Sequence, residues 1–183
     1  MSSPVSGRVS TSVRVANASV FHPERLIAVL TKNKVRSVLS GSLAARLQGF
    51  PWMTAVTELV PAVDPANLEG LAVALKHLNT RVHVDGAADG LPFELTAEAL
   101  ARADGWEFIT SCGRLDLRFR PGGTGGYDDL ATHAVRFDLH GDEVHVARLE
   151  DIVRMKQATD RPQDRQEIIV LRALIARNAG APA

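Results

Sequence analysis

The residues in this sequence whose types and order could do chemistry are a Gly-Ser pair and two acids far apart in the chain. Gly41-Ser42 follows an apolar run and precedes an amphipathic one, so it can open a helix. Glycine lets a ligand approach the backbone closely, and the serine hydroxyl with the free amides of a helix start can receive a phosphate oxygen. Glu58 stands between Thr57 and Leu59, and Asp116 between Leu115 and Leu117. In an extended chain, alternation puts each acid on the face opposite those neighbours. Carboxylates on neighbouring strands hold magnesium in phosphoryl and nucleotidyl transfer. The ion orients a triphosphate, lowers the pKa of the attacking group and neutralises charge developing at phosphorus. Taken singly, an acid so placed more often marks a solvated outer face and a Gly-Ser an ordinary turn; only the combination makes a site worth proposing.

The elements that must position these residues follow from pattern and punctuation. Pro23 suits the first turn of a helix carrying Leu26, Ile27 and Leu30 and ending by Asn33. VRSVLS (35–40) reads as a buried strand, and Leu43, Ala44, Leu47 and Phe50 give the next segment an apolar face that Gly49 and Pro51 stop. TELVPAV (57–63) is a second strand, closed by Asp64, which caps a helix starting at Pro65 with Leu68, Leu71, Leu75 and Leu78 in a stripe. Residues 79–92 read as irregular apart from a short strand at 81–84. Thr96 caps a short helix, 106–111 and 114–119 alternate as adjacent strands, and 135–139 with 143–147 form a hairpin around His140-Gly141-Asp142. PGGTGGYDDL (121–130), with four glycines in six residues, reads as the most flexible stretch. Helical periodicity returns at 149–158 and 166–177. With no internal repeat and no linker, the expected organisation is a tail or edge strand over 1–20, one domain over 21–178 and a tail over 179–183.

Composition narrows the class of partner. The chain of 183 residues is 45% hydrophobic and 23% charged, with 21 basic residues balancing 21 acidic ones, so no overall field attracts nucleic acid or an anionic membrane. No run approaches the ~20 apolar residues needed to span a bilayer. Cys112 is the only cysteine, which excludes an internal disulfide and makes a reducing cytoplasm the expected setting. His77, His83, His140 and His145 lack zinc-ligand spacing, and neither Ser42 nor Cys112 sits in a hydrolase nucleophile motif. Duplex-DNA binding has neither a basic stripe nor a helix-turn-helix signal behind it.

From about Leu26 to Leu174 the sequence resembles the AbiEii/AbiGii-type nucleotidyltransferase toxins, part of the DNA-polymerase-β-like nucleotidyltransferase superfamily. In that family a strand leads to Gly-Gly or Gly-Ser and a helix, then a Pro-containing turn, a Thr and a strand carrying Asp-x-Asp. Here these pieces are VRSVLS, Gly41-Ser42, LAARLQGF, Pro51, Thr54 and Val56-Thr57-Glu58. GRLDLRF and VHVARLEDIVRMKQATDRPQDRQEI resemble the third-acid strand and the C-terminal region, in the same order.

The resemblance implies an α+β fold, a nucleotidyltransferase-like mixed β-sheet flanked by helices with a helical C-terminal part. It implies that Gly41 and Ser42 contact nucleotide phosphates, that Glu58 replaces the second metal-binding Asp and that Asp116 is the third acid, the two holding Mg2+. Lys156 matches the lysine that contacts the triphosphate, Asp164 an acid supporting that pocket, and Arg161 assists them. Read without the family, Lys156 is a helix-surface cation and Asp164 a first-turn acid favoured by the helix dipole. The implied partners are a nucleoside triphosphate, a tRNA or other RNA or a protein acceptor, and a cognate antitoxin protein.

The sequence departs from the pattern at Val56, which stands in place of the first metal-binding Asp and cannot coordinate a cation. Trp52 and Met53 stand where a basic residue often lies. Two readings follow: a toxin–antitoxin nucleotidyltransferase working with two acids, or a non-catalytic binding protein that keeps the fold.

Overall fold

The computed structural model describes residues 21–180. The expected tail or edge strand over 1–20 and the last three residues lie outside them. Within them the order is α1 (Pro23–Lys32), β1 (Ser37–Ser40), α2 (Gly41–Leu47), β2 (Val56–Pro61), α3 (Pro65–His77), β3 (Arg81–Val84), β4 (Ala87–Leu91), α4 (Ala97–Leu100), β5 (Gly105–Thr110), β6 (Gly113–Arg118), α5 (Tyr127–His133), β7 (Val135–Leu139), β8 (Asp142–Val146), α6 (Leu149–Thr159) and α7 (Pro162–Ala179). The strands make one mixed sheet in the order β4-β3-β5-β6-β2-β1-β8-β7, in which β2 pairs with β6 and β1 with β8 in parallel and the other neighbours are antiparallel.

Register across the sheet sorts the two faces. Leu39 pairs with Leu59, Leu59 with Leu117 and Leu117 with Trp106, while Thr57, Leu115 and Phe108 form the parallel row beside it. Leu39, Leu59, Leu115, Leu117 and Phe108 are fully or almost fully buried, in one core with Leu26, Leu71, Leu75 and Leu100 of the helices. The alternate residues form the opposite row: Ser40 pairs with Glu58, Glu58 with Asp116 and Asp116 with Glu107. Side-chain period two therefore assigns the apolar row to the core and the polar row to the other face in one stroke.

Three stretches differ from expectation. Ala87–Leu91, which contains almost no strand-forming residue, is a strand because it pairs with β3 at the sheet edge, where the Arg81 side chain donates to the carbonyls of Asp89 and Gly90. The Gly-rich stretch leads into a helix, α5, and is packed rather than loose: a β-carbon at Gly123 would stand 2.7 Å from the Arg154 carbonyl oxygen, and one at Gly122 would stand 2.9 Å from the Ala158 β-carbon. Asp129 ties the two parts together, accepting from the Gly125 N–H and from Arg154 on α6 at 2.9 Å each. The glycines there serve close approach to α6. The last helix starts at Pro162, four residues before the expected start at 166, and runs through Ala179. Proline occupies the helix start, and the Asp164 carboxylate accepts the Arg161 backbone N–H just before it.

Candidate active site

The chain enters the site through β1. Ser40 is extended, Gly41 turns with φ +65°, and α2 begins at once. A β-carbon on Gly41 would fall 2.0 Å from Glu58 Oε1 and 2.2 Å from its carboxyl carbon, so the Glu58 carboxylate occupies the space that a side chain at 41 would need. The Ser42 backbone N–H lies close enough to that carboxylate to pull its pKa down. Glu58 thus already lies beside the amide that the sequence pattern offers to a phosphate. Burial raises its pKa, against the opposing charge of Lys156; the negative charge of Asp116 pushes the same way as burial, while Ser42 and Arg118 pull back.

Asp116 lies beside Glu58 in register, flanked by Arg114 and Arg118 at i−2 and i+2 on the same face of β6. Arg114 Nη2 is 3.6 Å from Asp116 Oδ1, and Arg118 Nη2 is 3.5 Å from Oδ2. Both arginines come closer to Glu107 on β5, Arg114 Nη2 to Oε2 at 3.2 Å and Arg118 Nη2 to Oε1 at 3.1 Å. Asp116 Oδ1 is buried and has no hydrogen-bond partner. Burial, and then the charge of Glu107, raise the Asp116 pKa against the two guanidiniums.

The C-terminal helices supply the remaining charge. Lys156 is buried, its ammonium 3.3 Å from Asp164 Oδ1 and 2.5 Å from Glu167 Oε2. Arg161 Nε donates to Asp164 Oδ2 at 2.8 Å, and Thr159 Oγ donates to the same oxygen at 2.8 Å. Burial alone would raise the pKa of Asp164, but the bonds from Arg161, Thr159 and Lys156 outweigh it and hold the carboxyl well below the usual carboxylate range. Glu58 feels Lys156, and Arg161 feels Glu58, so this cluster lies within electrostatic reach of the row on the sheet.

The fold therefore gathers Glu58, Asp116, Gly41 and Ser42, and places Lys156, Arg161 and Asp164 behind them with Lys156 held between two acids. Sequence reading missed Arg114, Arg118, Glu107 and Glu167. The Arg-x-Asp-x-Arg alternation at 114–118 carried a signal for the first two, since period two puts all three on one face. Glu107 and Glu167 reach the site only through long-range pairing and helix packing.

The donor set fits one divalent ion and not two. Glu58 and Asp116 are adjacent acids, both raised by burial, with one oxygen orphaned, and magnesium commonly takes one or two carboxylates plus substrate phosphates. Val56 offers no ligand, and among the described residues no group of three His, Cys, Asp or Glu could hold a metal ion. The raised Glu58 carboxyl also makes a stability test. An acid whose folded pKa is raised favours the fold below its unfolded pKa and loses that contribution as pH rises through the folded value. Glu58→Gln is therefore expected to raise the melting temperature at pH 7, with the gain gone by about pH 4, near the ordinary glutamate pKa. A melting temperature at pH 7 equal to or below that of the parent would refute this account of the burial.

No family model and no curated protein matches the sequence. Solved structures do match. The chain is similar to a lincosamide antibiotic adenylyltransferase crystallised with lincomycin bound, at 12% identity over 85% of this chain and 99% of that one, with a TM-score of 0.56. It also aligns with a Thermotoga maritima protein assigned as a nucleotidyltransferase, at 16% identity over 87% of this chain and 98% of that one, with a TM-score of 0.47. The chain has the nucleotidyltransferase fold, α+β, with a mixed sheet flanked by helices and a helical C-terminal part. No helix among the described residues is long and apolar enough to cross a membrane.

Proposed function

We propose that this protein binds a nucleoside triphosphate on the polar row of its sheet and transfers a nucleotide to an RNA or protein acceptor. In this reading it is the toxin half of a toxin–antitoxin pair in the cytoplasm, restrained by a cognate antitoxin protein. The observation that carries the reading is the register pairing of Glu58 with Asp116 beside Gly41-Ser42. A magnesium ion brought by the triphosphate and held by Glu58 and Asp116 would neutralise charge developing at phosphorus. The chain's own groups do the rest. The Gly41 backbone admits a phosphate once Glu58 turns from the Ser42 amide, and Lys156 and Arg161 reach it by exchanging Asp164 and Glu167 for its oxygens. Asp116, raised by burial, accepts the proton of the acceptor hydroxyl. The hydroxyl oxygen bonds to the α-phosphorus and pyrophosphate leaves.

The test is incubation with each of the four labelled nucleoside triphosphates, magnesium and a set of acceptors that includes tRNA, protein extract and lincomycin. Lincomycin belongs in the set because the similar adenylyltransferase is a lincosamide enzyme. Label is expected on one acceptor, and its loss is expected in Glu58→Gln and Asp116→Asn. No transfer with any of the four nucleotides would end the transfer reading. A second reading, binding without transfer, rests on Val56, on the two arginines flanking Asp116 and on the Glu58 carboxylate that already lies against Gly41. Calorimetric titration with nucleoside triphosphate read beside the label assay separates the two, since under this second reading nucleotide, or an antitoxin, binds and no label moves.

A further inference from the structure

We propose that Arg114 and Arg118 form a metal-independent receptor for the phosphates of the triphosphate, with Glu107 as a built-in occupant that the phosphates displace. This deepens the triphosphate-binding reading above and rests on it. Its first support is position. Arg114 is the register partner of Val56, so the lattice point beside the missing first acid carries a guanidinium. Where that acid would help hold a cation, this chain has put a fixed cation of its own.

The second support is geometry. Arg114 and Arg118 are four residues apart on one strand, about 13 Å between α-carbons, yet their Nη2 atoms converge on one carboxylate. Each takes a different Glu107 oxygen, at 3.2 and 3.1 Å. Two guanidiniums bridged by one carboxylate make the fork that a phosphate fits with two of its oxygens. Glu107 can leave: its side chain is 45% exposed, and exposed ion pairs of this kind are weak. Nε of Arg114 is buried without a hydrogen-bond partner, a donor not yet used. The fork closes on Glu107 at the β5 end of the polar row, with Asp116 between it and Glu58, and Arg118 still acts electrostatically on Glu58. The same two charges, 3.5 to 3.6 Å from Asp116, offset its negative charge, so the phosphates are held by the arginines whether or not a divalent ion accompanies them.

The test is titration of the full chain with inorganic triphosphate and with each nucleoside triphosphate, once in EDTA and once in magnesium. Affinity in EDTA is expected within about 3-fold of that in magnesium, and Arg114→Gln or Arg118→Gln is expected to lose about 10-fold or more in both. Glu107→Gln, which keeps shape but removes the occupant's charge, is expected to tighten binding by about 3-fold or more. Binding that requires magnesium overturns the proposal and leaves the nucleotide reading standing. Inorganic triphosphate bound through the arginines with no affinity for any nucleotide supports the fork and overturns the nucleotide reading. No binding of either probe overturns both. Should the glutamine variants at 114 and 118 fail to fold, unchanged or weakened affinity in Glu107→Gln overturns the proposal by itself.

Discussion

Asp164→Ala is expected to destabilise the protein by about 4 kcal/mol, the scale on which removing one partner of a buried ion pair acts. Asp164 is 1% exposed and serves four groups at once: the Arg161 guanidinium, the Arg161 backbone N–H, the Thr159 hydroxyl and the Lys156 ammonium. Its loss leaves Lys156 with Glu167 alone in a buried site and takes the acceptor from the Arg161 backbone N–H at the start of α7. For a chain of this size the melting temperature is expected to fall by roughly 10 °C. The pH dependence has a fixed sign. A carboxyl held below its unfolded pKa adds stability that is present above that unfolded value and lost as pH falls through the folded one. The gap between parent and variant should therefore hold from neutral pH down to about pH 4, the ordinary aspartate value, and close only in stronger acid. Asp164→Asn, which keeps one acceptor oxygen, should lose less. Denaturant unfolding of the three proteins at pH 7 and in acid decides it, and a loss below about 1 kcal/mol for the alanine variant would mean that the cluster is not a structural anchor.

That Asp164 organises a helix start was legible, because an acid in the first turn is a local signal. Its tie to Lys156 was legible only through resemblance, since a helix periodicity says nothing about which cation packs behind it. The same division runs through the site. β1, the turn at Gly41 and α2 could be read in line, as could the Asp64 cap, which accepts the Asn67 N–H at 3.2 Å. The faces of Glu58 and Asp116 followed from their apolar neighbours. What could not be read was that β2 lies beside β6, with Glu58 opposite Asp116 across a parallel pair. Parallel partners are chosen by packing over long stretches of chain, and each strand taken alone fits several neighbours. The strand at Ala87–Leu91 escaped for the same reason: pairing at an edge overrode residues with no strand preference. In the Gly-rich stretch, composition suggested looseness, whereas four glycines are also what lets a chain lie directly on a helix.

Gly41→Ala is expected to cost about 3 kcal/mol, and about half of that cost is expected to depend on Glu58. Two effects add. At φ +65° a β-carbon costs about 1 to 2 kcal/mol against its own backbone, wherever the side chain of Glu58 lies. The same carbon would stand 2.0 Å from Glu58 Oε1, so the carboxylate must swing aside from its place near the Ser42 amide, a loss of about 1 to 2 kcal/mol. Glu58→Ala removes the colliding atoms beforehand. In the double variant Gly41→Ala/Glu58→Ala the alanine at 41 should then show only the backbone cost, and the cycle should return a coupling energy of about 1 to 2 kcal/mol. Additivity within about 0.3 kcal/mol would show that Glu58 does not rest against Gly41 in solution. The cycle bears on function as well as stability. If Gly41 is there to seat Glu58, the double variant recovers stability and no activity. If Gly41 is there to admit a phosphate, Gly41→Ala lowers triphosphate affinity even with Glu58 already gone. The structure satisfies both demands with one residue, because the place where the carboxylate rests is the place a phosphate would take.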